Sequence, residues 1–186
     1  MIVENLDCGE GEIIYNKLKK PYVDNKPFFN ISHSRDYIVY VESRKEIGID
    51  IEQISEKNLS IIDYAFTEEE RKFIQDETRQ FVDDEKTKFT YLWTIKEALF
   101  KASGTDTYAE PKKIIIEDVF YKFKESSAIE KSQKNDIAYI TITQEYLGKT
   151  YHIYSLRFLN YIISVASEEQ YDKIELNDYK FKTFNN

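Results

Sequence analysis

The chain has 186 residues, 41% of them apolar and 15% aromatic, a formal net charge of −8, and a single cysteine, Cys8. That length suits one compact domain or two small lobes sharing a core; the negative charge argues against a general nucleic-acid binder, and a lone cysteine excludes an intrachain disulfide or a cysteine-built zinc site. No apolar run reaches ~18 residues and no basic stretch followed by an apolar one opens the chain, so neither a membrane span nor a signal peptide is expected and the protein reads as cytoplasmic.

In chain order, Phe28–Ser32 reads as a short strand and Tyr37–Val41 as a second, rich in branched and aromatic residues. A third, Ile47–Ile51, places apolar residues at 47, 49 and 51. Thr67-Glu-Glu-Glu70 has the capping-box pattern, Thr at the N-cap and Glu three residues on, and predicts a helix from about Glu68 to Thr78. A longer helix is expected from about Glu85 to Ser103, stopped by Gly104. The remainder reads as strands over Ile114–Ile116, Val119–Phe123, Ile137–Ile142, Thr150–Phe158 and Tyr161–Ala166. Short turns around Leu147-Gly-Lys149 and Leu159-Asn160 make antiparallel neighbours of the last three. Two helices followed by a strand meander give an α+β class.

The long helix carries charges where a core helix should not. At 100° per residue, Tyr91, Leu92, Ile95, Ala98, Leu99 and Ala102 share one face, and Glu97 points away from it, with Lys101 one turn later. Yet Phe89, Trp93 and Phe100 flank Glu97, so that second face is covered too. A carboxylate and an ammonium in such a place need partners, because an unpaired buried charge costs several kcal/mol. One available partner is each other, at i,i+4.

Asp50 and Glu52 lie two residues apart in Gly48-Ile-Asp-Ile-Glu52, on one face of a strand, with Ile49 and Ile51 on the other. Side by side they repel unless a cation or a proton lies between them, and such oxygen ligands suit Mg²⁺. A half-exposed strand with an acidic outer face is the commoner explanation of a bare D-x-E. Gly48 before it hints at a close backbone approach. Ser32-His33-Ser34 with Arg35 combines hydroxyls, an imidazole and a guanidinium that can hold a phosphate. His152 reads as an ordinary strand residue. Basic residues outnumber acidic ones between positions 12 and 45, and the reverse holds from 46 to 91.

Taken in order, Phe29-Asn-Ile-Ser-His-Ser34, Ile47-Gly-Ile-Asp-Ile-Glu52, Phe66-Thr-Glu-Glu-Glu70 and Trp93-Thr-Ile-Lys-Glu-Ala98 with Lys101 resemble the 4′-phosphopantetheinyl transferase superfamily. Its pattern is a G-[IV]-D-x-E strand followed by a W-[ST]-x-K-E-[AS]-x-x-K helix; here Asp50 and Glu97 stand 47 residues apart. The resemblance covers roughly residues 26–104. It implies that the chain is an enzyme moving the phosphopantetheine arm of coenzyme A onto a serine of an apo acyl or peptidyl carrier protein, with release of 3′,5′-ADP. By the same resemblance Asp50, Glu52 and Glu97 would ligate Mg²⁺, and Glu97 would take the serine proton, directly or through a water. Lys101, with Lys96, would neutralise the pyrophosphate, and Ser32 and His33 would hold a coenzyme A phosphate.

The implied fold is an antiparallel sheet packed on helices with a pseudo-two-fold, here with a reduced first lobe. Only 31 residues precede Ser32, where two-lobed members have a longer basic segment. Residues 1–46 would form the shortened lobe and 47–186 the lobe with the metal site. Single-lobe members build their site between subunits, so a homo-oligomer is also implied. Two other classes stand beside this reading. One is a degenerate relative that binds coenzyme A or a carrier without transfer; the other is an unrelated Mg²⁺ phosphohydrolase, for which D-x-E with a distant Glu would also serve.

Overall fold

The computed structural model describes residues 13–16, 20–76, 84–105, 110–116 and 139–171. Its centre is a four-stranded antiparallel sheet in the order β5-β8-β7-β6, with β5 at Ile47–Gln53, β6 at Tyr139–Tyr146, β7 at Lys149–Phe158 and β8 at Tyr161–Ser167. Hairpin turns join β6 to β7 and β7 to β8; Leu147 and Gly148 in the first and Leu159 in the second take positive φ, as tight turns require. The expected strands at 137–142, 150–158 and 161–166 thus lie in one meander, with residues 137 and 138 outside the described part.

The single turn α1 (Ile62–Ala65) leads into α2 (Glu68–Gln75), whose Thr67–Glu70 capping box is closed in both directions, at 3.3 and 2.9 Å. The third helix, α3 (Glu85–Ser103), starts where Asp84 accepts from the Thr87 amide at 2.8 Å and ends at Gly104, which is left-handed at φ 63°. Among the described residues no helix is long and apolar enough to cross a membrane.

The sheet has two faces and each has its own core. Ile153, Ile162 and Ala166 pack with Phe89, Leu92, Ile95 and Leu99 of α3. On the opposite face Ile47, Ile49, Ile51, Ile163 and Val165 meet Tyr37, Val39 and Val41. Those last three belong to β4 (Tyr37–Ser43), which forms an antiparallel hairpin with β3 (Phe28–Ser34). A small β1–β2 pair, Ile14–Tyr15 with Pro21–Tyr22, precedes it.

One expected strand is absent. Pro111–Lys113 makes a 3₁₀ turn, and Ile114–Ile116 then runs on with no ladder partner among the described residues. Ile114 and Ile116 are buried all the same. Their alternation reports burial against α3's core, not strand pairing. Val119–Phe123 lies outside the described residues, and α2 ends at Gln75, short of the expected Thr78.

Candidate functional site

Gly48 explains how close α3 comes to β5. A methyl group there would stand 2.1 Å from the Ala98 carbonyl oxygen and 2.5 Å from the Ala102 amide, a clash with backbone that only glycine avoids. Directly after this contact β5 turns Asp50 and Glu52 toward α3, while Ile49 and Ile51 enter the opposite core. The helix answers with Glu97 and Lys101. Four charged groups therefore converge where β5 and α3 touch.

Lys101, half-buried, uses all three of its donors. Its Nζ donates to Asp50 Oδ1 at 2.7 Å, to Ser32 Oγ at 3.1 Å and to the Ile49 carbonyl at 3.1 Å. The expected i,i+4 partner Glu97 is not the one it takes; Asp50 is. Ser32 completes a triangle by donating to the same Asp50 oxygen at 2.8 Å. Asp50 Oδ2, by contrast, is buried without a hydrogen-bond partner. Burial lifts the Asp50 carboxyl above its ordinary pKa, with Lys101 and Ser32 acting against the rise.

Glu52 accepts from Ser34 Oγ at 3.2 Å, and the Trp93 indole favours its charged form. Burial raises its pKa and Asp50 adds to the rise. Glu97 is pushed up to about 7, first by burial and then by Asp50, with Lys101 opposing. Two strand carboxylates and one helix carboxylate thus share an electrostatic environment that disfavours charging all three at once.

The hairpin supplies this site through alternate residues. Asn30, Ser32 and Ser34 pair across the hairpin with Val41, Val39 and Tyr37, the residues that face the sheet. Asn30 accepts from the Ile49 amide at 3.1 Å and Ser34 from the Gln53 amide at 3.2 Å. His33 falls on the hairpin's other face, opposite Ile38, and is exposed. Ser32 and His33, expected together on one phosphate, are therefore separated by the pleat.

Lys96 is also not with the carboxylates. It is buried, and its Nζ donates to Glu70 Oε2 at 2.6 Å, the Ala65 carbonyl at 3.0 Å and the Pro111 carbonyl at 3.1 Å. Burial lowers its pKa and Glu70 counteracts this. Adjacent helix positions project about 100° apart, so Lys96 and Glu97 serve different surroundings.

Several contributors were not singled out for the site from sequence. Ser34 holds Glu52 and Trp93 acts on the same carboxylate; both lay inside quoted motifs, but nothing in a spacing says which carboxylate they meet. Lys20 donates to Glu46 at 2.6 Å, to the Lys101 carbonyl at 3.1 Å and to the Ile47 carbonyl at 3.3 Å, so it fastens the end of α3 to the start of β5.

Oxygen ligands of this type fit a hard divalent cation by their chemistry, and the orphaned Asp50 Oδ2 is the buried acceptor such an ion would satisfy. Among the described residues, however, no three Asp, Glu, His or Cys side chains stand close enough together to hold a metal ion as they are. The donors are present; their closing around an ion requires side-chain movement.

A sequence model of the 4′-phosphopantetheinyl transferase superfamily matches residues 46–165. Over 109 residues the chain is 40% identical to a protein of Aneurinibacillus migulanus named 4′-phosphopantetheinyl transferase gsp, covering 58% of this chain and 45% of that protein. It is 37% identical over 87 residues to 4′-phosphopantetheinyl transferase psf-1 of Bacillus pumilus, covering 46% and 36%. A 4′-phosphopantetheinyl transferase of Bacillus subtilis is 36% identical over 87 residues, covering 46% and 38%. The chain thus spans less than half the length of each of these curated relatives.

Proposed function

Because the chain belongs to the 4′-phosphopantetheinyl transferase superfamily, we propose that it transfers 4′-phosphopantetheine from coenzyme A to a serine of an apo acyl or peptidyl carrier protein, with Mg²⁺ and with release of 3′,5′-ADP. The observation that carries this is the convergence of Asp50 and Glu52 from β5 with Glu97 and Lys101 from α3. In this reading residues 1–46 belong to a first lobe and residues from 47 onward to the lobe with the metal site, and the protein works in the cytoplasm. A homo-oligomer belongs to the same proposal.

Asp50, Glu52 and Glu97 would hold the Mg²⁺. Bound there, it would supply charge neutralisation to the coenzyme A pyrophosphate. Glu97, with its pKa raised to about 7 by burial and by Asp50, would accept the serine proton, directly or through a water. The serine oxygen forms a bond to the phosphorus that bears the pantetheine arm, and the bond from that phosphorus to the bridging pyrophosphate oxygen breaks. Lys101 would meet the charge that gathers on the departing 3′,5′-ADP. His33, exposed on the hairpin's outer face, would contact a coenzyme A phosphate away from the carboxylates, while Ser32 stays with Asp50 and Lys101. Lys96, with its donors spent on Glu70 and two carbonyls, is withdrawn from the pyrophosphate role.

The test is release of 3′,5′-ADP from coenzyme A with Mg²⁺, with and without an apo carrier protein. Release should require the carrier. Glu97→Gln should lower it by about 10²–10⁴-fold, the usual contribution of a positioned base, in a protein that remains folded by circular dichroism. Near-normal turnover in that variant would remove Glu97 from the mechanism, and phosphate release without a carrier would favour a phosphohydrolase.

A further inference from the structure

The carboxylate cluster comes with its own cation. Three acids, Asp50, Glu52 and Glu97, surround one ammonium, and that ammonium is held by three hydrogen bonds of 2.7, 3.1 and 3.1 Å. Each acceptor is fixed by something else. Asp50 sits on a strand buried on both faces, Ser32 donates to Asp50, and the Ile49 carbonyl lies on the edge of β5 that no strand pairs among the described residues. A lysine so placed is not waiting in solvent for a phosphate. It satisfies one oxygen of Asp50 and leaves the other, Oδ2, buried without a partner. With Lys101 in this position, no three acidic side chains among the described residues are close enough together to hold a metal ion.

We infer that Lys101 is the resident counter-ion of this cluster, and that a divalent cation enters it in competition with the Lys101 ammonium, displacing it from Asp50 and freeing it for the anionic substrate. This rests on the metal-dependent reading proposed above and adds to it the order of events at one residue. The physical basis is simple. An ion on the free Oδ2 and the ammonium on Oδ1 would share one buried carboxylate, where two positive charges repel and each weakens the other's hold. An ammonium is also a flexible point charge on a four-carbon stem, able to leave one acceptor for another. Its departure costs least when a phosphate is at hand to receive it, so cation and pyrophosphate should each favour the other's binding.

The test uses Mn²⁺ as the probe, followed by calorimetry and by electron paramagnetic resonance, on the full chain without substrate. Lys101→Met, similar in length and uncharged, should bind Mn²⁺ about tenfold more tightly than the wild type, a coupling within the usual range for two ligands that share a site. Asp50→Asn should abolish that binding in both backgrounds. A second measurement needs no variant: the acylation rate of the Lys101 amine, read by peptide mass spectrometry, should rise severalfold when Mn²⁺ is added. Equal or weaker Mn²⁺ binding by Lys101→Met, or an unchanged acylation rate in wild-type protein that binds the ion, overturns the competition alone. Binding that does not depend on Asp50, or no binding at all, overturns the metal reading and this inference with it.

Discussion

Glu70 is asked to do two jobs with one carboxylate. Its Oε2 closes the capping box on the Thr67 amide at 2.9 Å and also accepts from Lys96 at 2.6 Å, while Oε1 accepts from the Ile116 amide at 3.4 Å. Glu70 and Lys96 are 0% and 1% exposed, so neither charge can fall back on water. Removing one partner from such a pair strands the other, and Lys96→Met should destabilise the protein by about 3–5 kcal/mol in chemical denaturation. A loss below about 1 kcal/mol would contradict a buried ion pair at this place. Glu97 has the opposite character. Its folded pKa, about 7, stands above the ordinary 4.5, so the stability it contributes is present below the unfolded value and is lost as pH rises through about 7. In protein without divalent cations, Glu97→Gln should therefore be more stable than wild type at about pH 8, by roughly 1–3 kcal/mol after allowing for partial exposure, and the gap should close toward about pH 5. A gap that persists at acid pH would contradict the assigned burial of charge.

The site is set by how two elements touch, and Gly48 governs that contact. Gly48→Ala would place a methyl group 2.1 Å from one backbone atom of α3 and 2.5 Å from another. The helix must move away, carrying Glu97 and Lys101 from Asp50 and Glu52. The expected cost is about 1–3 kcal/mol, as for other overpacked contacts, with a fall in transfer larger than the loss of folded protein explains. Unchanged stability and transfer would mean that the helix has room the geometry does not show. The sequence no more than hinted at this glycine's role, since Gly just before the paired acids is compatible with close backbone approach. It carried the capping box and the two-sided burial of α3, from the aromatics around Glu97. It did not carry the partners. An i,i+4 spacing suggests Glu97 for Lys101, yet Lys101 reaches Asp50, because residues 51 positions apart in the chain meet only once α3 is laid across β5. Nor does a strand-like run such as Ile114–Ile116 reveal whether a neighbour offers a ladder.

Across the molecule, the edge of β5 is where the layers meet. No strand pairs with that edge among the described residues. Its outward groups are met by side chains instead: Asn30 and Ser34 accept from the amides of Ile49 and Gln53, and Lys20 and Lys101 donate to the carbonyls of Ile47 and Ile49. This blunts an otherwise sticky edge and ties the hairpin, the segment before it and α3 to the strand that carries the acids. The same arrangement explains why Ser32 reaches the site and His33 does not: the hairpin presents only alternate residues to β5. It was legible in the motif Phe29–Ser34 that this segment matters, but not which of its residues face inward, since that depends on a packing partner distant in the chain. The central claim remains the transfer itself. Its most direct test is the intact mass of an apo acyl or peptidyl carrier protein incubated with this chain, coenzyme A and Mg²⁺. A gain of one phosphopantetheine on the carrier serine, lost when EDTA is added, is the expected result; no gain across several carriers, with the chain folded and coenzyme A intact, would contradict it.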